Sequence, residues 1–188
     1  ARLGHAPDPL EAALICQRAG ADSIVCHLRE DRRHIQDRDV ERLRRRLAIP
    51  LNLEMSIAPD VVEVALRVRP HQVTLVPERR EELTTEGGLD AVGLSRPLKR
   101  LVHAFQAARI EVSLFIDPVV AQIDAAARLG ARIIELHTGR YAQASTTAQR
   151  ARHLRILTRT AQHARRRGLV VAAGHGLEPR GREERRAA

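Results

Sequence analysis

The sequence predicts an α/β fold, a (β/α)8 barrel that is incomplete here, with about six parallel strands. Two observations lead there. Helical segments of ~10 to 20 residues alternate strictly with short Val/Ile/Leu-rich segments, helix then strand, six times over. Such alternation builds a parallel sheet buried on both faces. Ionisable residues also recur at the strand C-terminal ends: His27, Glu54, Glu78, Asp117, His137 and His175. A barrel builds sites along that whole rim, whereas an open doubly wound sheet gathers ligand contacts at one switch point. Six strands in 188 residues fall short of eight strands and of the ~250 residues typical of the fold.

In chain order, Asp8 caps and Pro9 opens a first helix whose apolar positions are Leu10, Ala13, Leu14 and Ile15, with Gly20 as its stop. Ser23 to Leu28 reads as a strand. Asp37 to Leu47 is helical, with Val40, Leu43 and Leu47 on one face and arginines on the other. Strands at Leu51 to Met55 and Gln72 to Val76 flank a helix opened by Pro59. The loop Arg79 to Asp90 is longer than an ordinary connection of ~2 to 6 residues, and long loops after strands often carry function. Then come a helix over Arg96 to Arg109, a strand from Glu111 to Asp117, an Ala-rich helix to Leu129 and a strand from Arg132 to Thr138. A long basic helix over Ala144 to Arg167 precedes the last strand, Leu169 to Ala173. Residues 1–177 form the predicted barrel domain. The polar tail 178–188 lacks apolar periodicity and is expected to be disordered.

Composition narrows the function. No apolar run approaches the ~18 residues of a membrane span, and no segment has the pattern of a signal peptide, so a cytoplasmic protein is expected. A net charge of +9 invites nucleic acid. Against it, the basic residues are scattered along the chain, all arginine except Lys99, and Phe105, Phe115 and Tyr141 are the complete aromatic set. That leaves no stacking platform for single strands. Cys16 and Cys26 lie in apolar runs without a second ligand at metal spacing and read as reduced, buried thiols.

The richest stretch runs from Ile24 to Ile35, where a strand ends in a polar rim holding His27, Arg29, Arg32, Arg33 and His34. These residue types fit either a solvated charge cluster or a site for an anion, since Arg offers a fixed fork of donors and His titrates near neutrality. Glu54 sits in an apolar run, where a carboxylate must be paired or protonated. His175 lies between Gly174 and Gly176, which suit either an ordinary turn or a close backbone approach to phosphate. Glu135 and His137 fit either ligand or barrel-filling roles. Two histidines and a glutamate at strand ends, with arginines and a Gly-rich turn for phosphate, point to an enzyme acting on small phosphorylated carbonyl compounds by acid/base catalysis.

The strings His27-Leu-Arg-Glu-Asp-Arg-Arg-His34, Asn52-Leu-Glu-Met55, Leu75-Val-Pro-Glu78, Thr84-Thr-Glu-Gly-Gly-Leu-Asp90, Glu135-Leu-His-Thr-Gly139 and Ala173-Gly-His-Gly-Leu177 together resemble the pyridoxine 5'-phosphate synthase family. The resemblance covers roughly Arg2 to Leu177. It implies a (β/α)8 barrel, usually a homo-octamer, that condenses 1-deoxy-D-xylulose 5-phosphate with 3-amino-2-oxopropyl phosphate, with no metal or organic cofactor. It implies further that His27 accepts a proton, that Glu54 is a second acid/base and that His175 donates a proton. By the same resemblance Arg29, His34 and Thr84 bind the deoxyxylulose phosphate, and Arg2 and Gly176 contact the aminoketone phosphate. The chain departs from the pattern at Ala172, where Asn is usual, and at both ends, where the family's first and last strands are expected. Unpaired edges at the Ser23 and Leu169 strands follow. The alternatives are a non-catalytic remnant that binds phosphorylated ligands or assembles with other barrels, and a basic nucleic-acid-binding protein.

Overall fold

The structure, a computed structural model, describes residues 8–78 and 87–177. Its elements are α1 (Pro9–Arg18), β1 (Ile24–Leu28), α2 (Asp37–Arg46), β2 (Leu51–Met55), α3 (Pro59–Val68), β3 (Gln72–Leu75) and α4 (Ser95–Ala107). They continue as β4 (Glu111–Ile116), α5 (Val120–Leu129), β5 (Ile133–His137), α6 (Gly139–Ala142), α7 (Thr147–Arg166) and β6 (Val170–Gly174). The strands form one sheet in the order β1-β2-β3-β4-β5-β6, every neighbouring pair parallel. Strand order that follows chain order means that every crossover steps the same way. With crossovers of one hand, the helices then share one face and the sheet curls as part of a barrel, unlike a doubly wound sheet, whose order reverses.

Period-two alternation divides the sheet into two chemically different faces. Leu51, Leu53, Met55, Val73, Leu75, Leu114, Ile116 and Ile134 are fully buried in one continuous core with Val40, Leu43, Val61, Leu98, Val102, Phe105, Ile123 and Ala126 of the helices. The intervening residues Asn52, Glu54, Gln72, Thr74, Ser113 and Glu135 line the other, concave face. There Thr74 Oγ1 donates to Asn52 Oδ1 at 3.0 Å. An open cavity of about 300 Å³ is lined by Val25, Asn52, Gln72, Ser113 and Glu135. The expectation of a sheet buried on both faces is therefore corrected. Alternate strand positions are polar, and on edge strands β1 and β6 the inward Val25 and Val170 are 53% and 62% exposed.

Capping explains the helix boundaries. Asp8 Oδ1 accepts the Leu10 N–H at 2.8 Å, and Pro9 occupies the first turn, where no amide partner is needed. The helix expected from Ala144 instead starts at Thr147, because Thr146 and Gln149 form a reciprocal capping box. The four-residue α6 before it was not foreseen. Cys16 is a second correction: it is exposed, because α1 buries only Leu10 and Ala13, turning Ile15 and Cys16 away. Cys26, on the helix-facing side of β1, is half-buried. No helix among the described residues is long and apolar enough to cross a membrane. The tail 178–188 lies outside the described residues.

Candidate active site

The C-terminal ends of the strands carry two clusters on the concave face. The first is built by β1, β2 and the end of β3. His27 and Glu54 are register partners, so their side chains leave the sheet on the same side, with His27 Nδ1 3.9 Å from Glu54 Oε2. Beyond β3, Glu78 turns back under β1: its Oε1 accepts the Glu30 N–H at 3.0 Å and lies 3.6 Å from Arg29 Nη2, while its Oε2 lies 3.7 Å from His27 Nε2. Glu30 in turn accepts the Ser56 hydroxyl at 2.7 Å.

The loop after β1 is rigidly specified. Arg32 adopts a left-handed backbone at φ 49°, uncommon for a residue other than glycine. It is held there by Asp37 at 3.0 Å, Asp60 at 2.5 Å and the Glu30 carbonyl at 2.9 Å, and its own carbonyl accepts the Gln36 side-chain amide. The loop thereby buries Arg29 at the mouth of the site and leaves His34 exposed, near enough for its charge to bear on His27.

The second cluster forms where β4, β5 and β6 end. His137 Nδ1 lies 3.1 Å from Asp117 Oδ1, and its ring stands 5.0 Å from that of His175 and edge-on to Phe115 at 5.2 Å. His175 takes a left-handed backbone at φ 83°, which costs a non-glycine residue about 1–2 kcal/mol. Thr138 compensates: its hydroxyl lies 2.6 Å from both the Gly174 and the His175 carbonyls, and its N–H donates to Gly174 at 2.9 Å. Gly176, also left-handed at φ 72°, follows directly.

Glu135 connects the clusters. A Cβ on Gly174 would collide with its carboxylate, so the bare glycine is what lets Glu135 lie beside the His175 turn. Its charge also reaches Glu54. Burial first, and then Glu135, push the Glu54 carboxyl up to about 7. Burial followed by the Arg29 charge lowers His27 to about 4, and burial followed by His137 lowers His175. At neutral pH the site therefore offers a neutral imidazole at His27 beside a carboxyl poised to give or take a proton, the condition acid/base catalysis favours. Among the described residues, no group of three or more His, Cys, Asp or Glu has metal-binding geometry.

Of the residues singled out in the sequence, His27, Glu54 and Arg29 are brought together, and His175 and Gly176 form the facing turn. Arg2 and Thr84 lie outside the described residues. The flank of the Thr84 loop returns to the same rim: Leu89 N–H donates to the Phe115 carbonyl at 2.7 Å, and Gly88 packs on the backbone of Ile116 and Asp117. Glu78, Glu135, Asp117 and His137 were visible as ionisable residues at or near strand ends, but no role followed from that. Thr138 carried no signal beyond its place at the end of the Arg132 to Thr138 strand and in the string Glu135 to Gly139.

The model of the family described as pyridoxal phosphate biosynthesis protein PdxJ matches residues 1–183. The chain belongs to this family. A pyridoxine 5'-phosphate synthase of Synechococcus sp. is 57% identical over 177 residues, covering 94% of this chain and 74% of that protein. The namesake from Acaryochloris marina is 55% identical with the same coverage, and that of Thioalkalivibrio sulfidiphilus is 55% identical over 92% of this chain and 70% of its own. The protein is thus an enzyme of vitamin B6 biosynthesis, and the two clusters at the strand ends are its candidate active site.

Proposed function

We propose that the chain condenses 1-deoxy-D-xylulose 5-phosphate with 3-amino-2-oxopropyl phosphate to give pyridoxine 5'-phosphate, phosphate and water. The observation that carries this reading is the placement of neutral His27 and a Glu54 carboxyl near pH 7 on one concave face, with buried Arg29 beside them. Imine formation, enolisation and the dehydrations each require a proton to be taken from or given to the substrate. His27 accepts the first proton, Glu54 shuttles protons at the central carbons and His175 donates to the departing oxygen. Arg29 and His34, with Thr84, hold the deoxyxylulose phosphate. The Gly176 backbone and Arg2 hold the aminoketone phosphate. No cofactor enters this scheme, and we place the enzyme in the cytoplasm as a homo-oligomer, an octamer by family likeness, without nucleic-acid or membrane partners.

One observation favours a second reading. Among the described residues, Val25 and Val170 are exposed on the concave face of β1 and β6, whereas dehydration chemistry benefits from excluded water. A chain that binds the phosphorylated substrates without turning them over fits that geometry. Calorimetric titration with 1-deoxy-D-xylulose 5-phosphate tests what both readings share. Saturable binding that weakens roughly 10- to 100-fold in Arg29→Leu is expected, from loss of a charge-assisted contact. Absence of binding to the folded chain contradicts the phosphorylated-substrate assignment.

A further inference from the structure

We propose that Glu78 is a positioning residue that fixes the His27 imidazole in one tautomer and braces the Arg29 guanidinium, a role that rests on the reading of His27 as proton acceptor. Three buried side-chain atoms among the described residues lack any hydrogen bond: His27 Nε2, Arg29 Nη2 and Glu78 Oε2. They are not scattered. The Glu78 carboxylate, 3% exposed, faces both of the others, at 3.7 Å from the imidazole nitrogen and 3.6 Å from the guanidinium. Buried polar atoms without partners are rare and costly, so three of them converging on one point mark Glu78 as the shared partner of His27 and Arg29.

The stereochemistry assigns the proton. Burial raises the Glu78 carboxyl above its ordinary value, but once ionised it accepts only, and the imidazole nitrogen nearest to it is Nε2, which then carries the hydrogen. Glu54, raised to about 7, is the weaker claimant on the other nitrogen. The other nitrogen, Nδ1, then holds the free lone pair and is the one turned toward Glu54 on the concave face. Orientation of a catalytic imidazole by a buried carboxylate on its far nitrogen is the logic of acid/base triads. Glu78 is itself fixed by the Glu30 N–H, so the loop carrying Arg29 and the base of the imidazole share one anchor.

The test is nitrogen-15 NMR of the His27 ring in the substrate-free protein above pH 7, with the pH profile of turnover measured beside it. Wild type is expected to show Nε2 protonated and Nδ1 bare. In Glu78→Ala the ring should exchange between tautomers. Glu78→Gln, which keeps the volume, should lower kcat by up to roughly 10²- to 10⁴-fold, the range for a proton-transfer group, and move the acidic limb of the profile, because the imidazole is no longer held in its proton-accepting tautomer. Glu78→Asp, which keeps the charge, should recover part of the loss. A Glu78→Gln protein with a lower melting temperature but an unchanged tautomer and pH profile overturns the proposal. The NMR measurement needs no turnover, so a Glu78-dependent tautomer in a chain that makes no product supports the positioning role while counting against the proposed reaction.

Discussion

His27 and Glu54 stand 3.9 Å apart on neighbouring parallel strands, and burial drives their proton affinities in opposite directions. The imidazole falls from 6.5 to about 4, and the carboxyl rises from 4.5 to about 7. Between those values both groups are largely uncharged, which is how a half-buried pair avoids the cost of desolvated charge.

The shifts have opposite consequences for stability. Between about pH 4.5 and 7 the folded chain keeps the Glu54 proton that the unfolded chain releases, so this contribution is largest below 4.5 and is lost as pH rises to 7. His27 acts in the other direction: the unfolded ring protonates below 6.5 while the folded one resists, so stability falls as pH drops toward 4. Glu54→Gln removes the first effect alone. Urea midpoints should show the variant more stable than wild type at pH 8, by roughly 1–3 kcal/mol after allowing for a side chain 29% exposed, and little different at pH 4. An equal change at both pH values contradicts the assignment.

Thr138 pins the His175 turn by its hydroxyl and its amide. Thr138→Val keeps the shape and deletes a hydroxyl shared by the half-buried Gly174 and His175 carbonyls, of which Gly174 keeps the Thr138 amide, at a cost of about 0.5–1.5 kcal/mol. The melting temperature should fall by several degrees. The rate should fall further than stability alone explains, because His175 leaves its left-handed position.

Gly88 packs against the Ile116 and Asp117 backbone so closely that an added Cβ has nowhere to go. Gly88→Ala should therefore destabilise by roughly 3 kcal/mol or more, a main-chain collision that rotamer changes cannot relieve. A variant with wild-type thermal unfolding contradicts this packing.

The two cysteines should differ sharply toward a thiol reagent at pH 8. Cys16 is exposed, whereas burial and then the Glu54 charge push the Cys26 thiol up to about 12. One equivalent should react at once and the second only on unfolding.

Much of this was legible from sequence because the signals are local. Asp8-Pro9 sets a helix start, and the mostly apolar Leu51-Asn-Leu-Glu-Met55 after Pro50 marks a strand, though not that its alternate positions leave the core. His27, Arg29, Glu54 and His175 stood out as charged or proton-carrying groups at strand ends. What stayed hidden depends on pairing across the sheet. That Glu78 reaches under β1, that Glu135 bears on Glu54, and that Thr138 holds a turn 36 residues away follow from register and crossover, which no single segment encodes. The exposure of Cys16 likewise depended on which stripe of α1 meets α2.

The most direct test of the account is steady-state turnover with both phosphorylated substrates, following pyridoxine 5'-phosphate and released phosphate together in wild type and Glu54→Gln. The account predicts stoichiometric formation of both products by wild type. It also predicts a fall of roughly 10²- to 10⁴-fold in a folded Glu54→Gln, the range for loss of a proton-transfer group. Wild-type rates in that variant, or no product from a folded chain that binds both substrates, would contradict it.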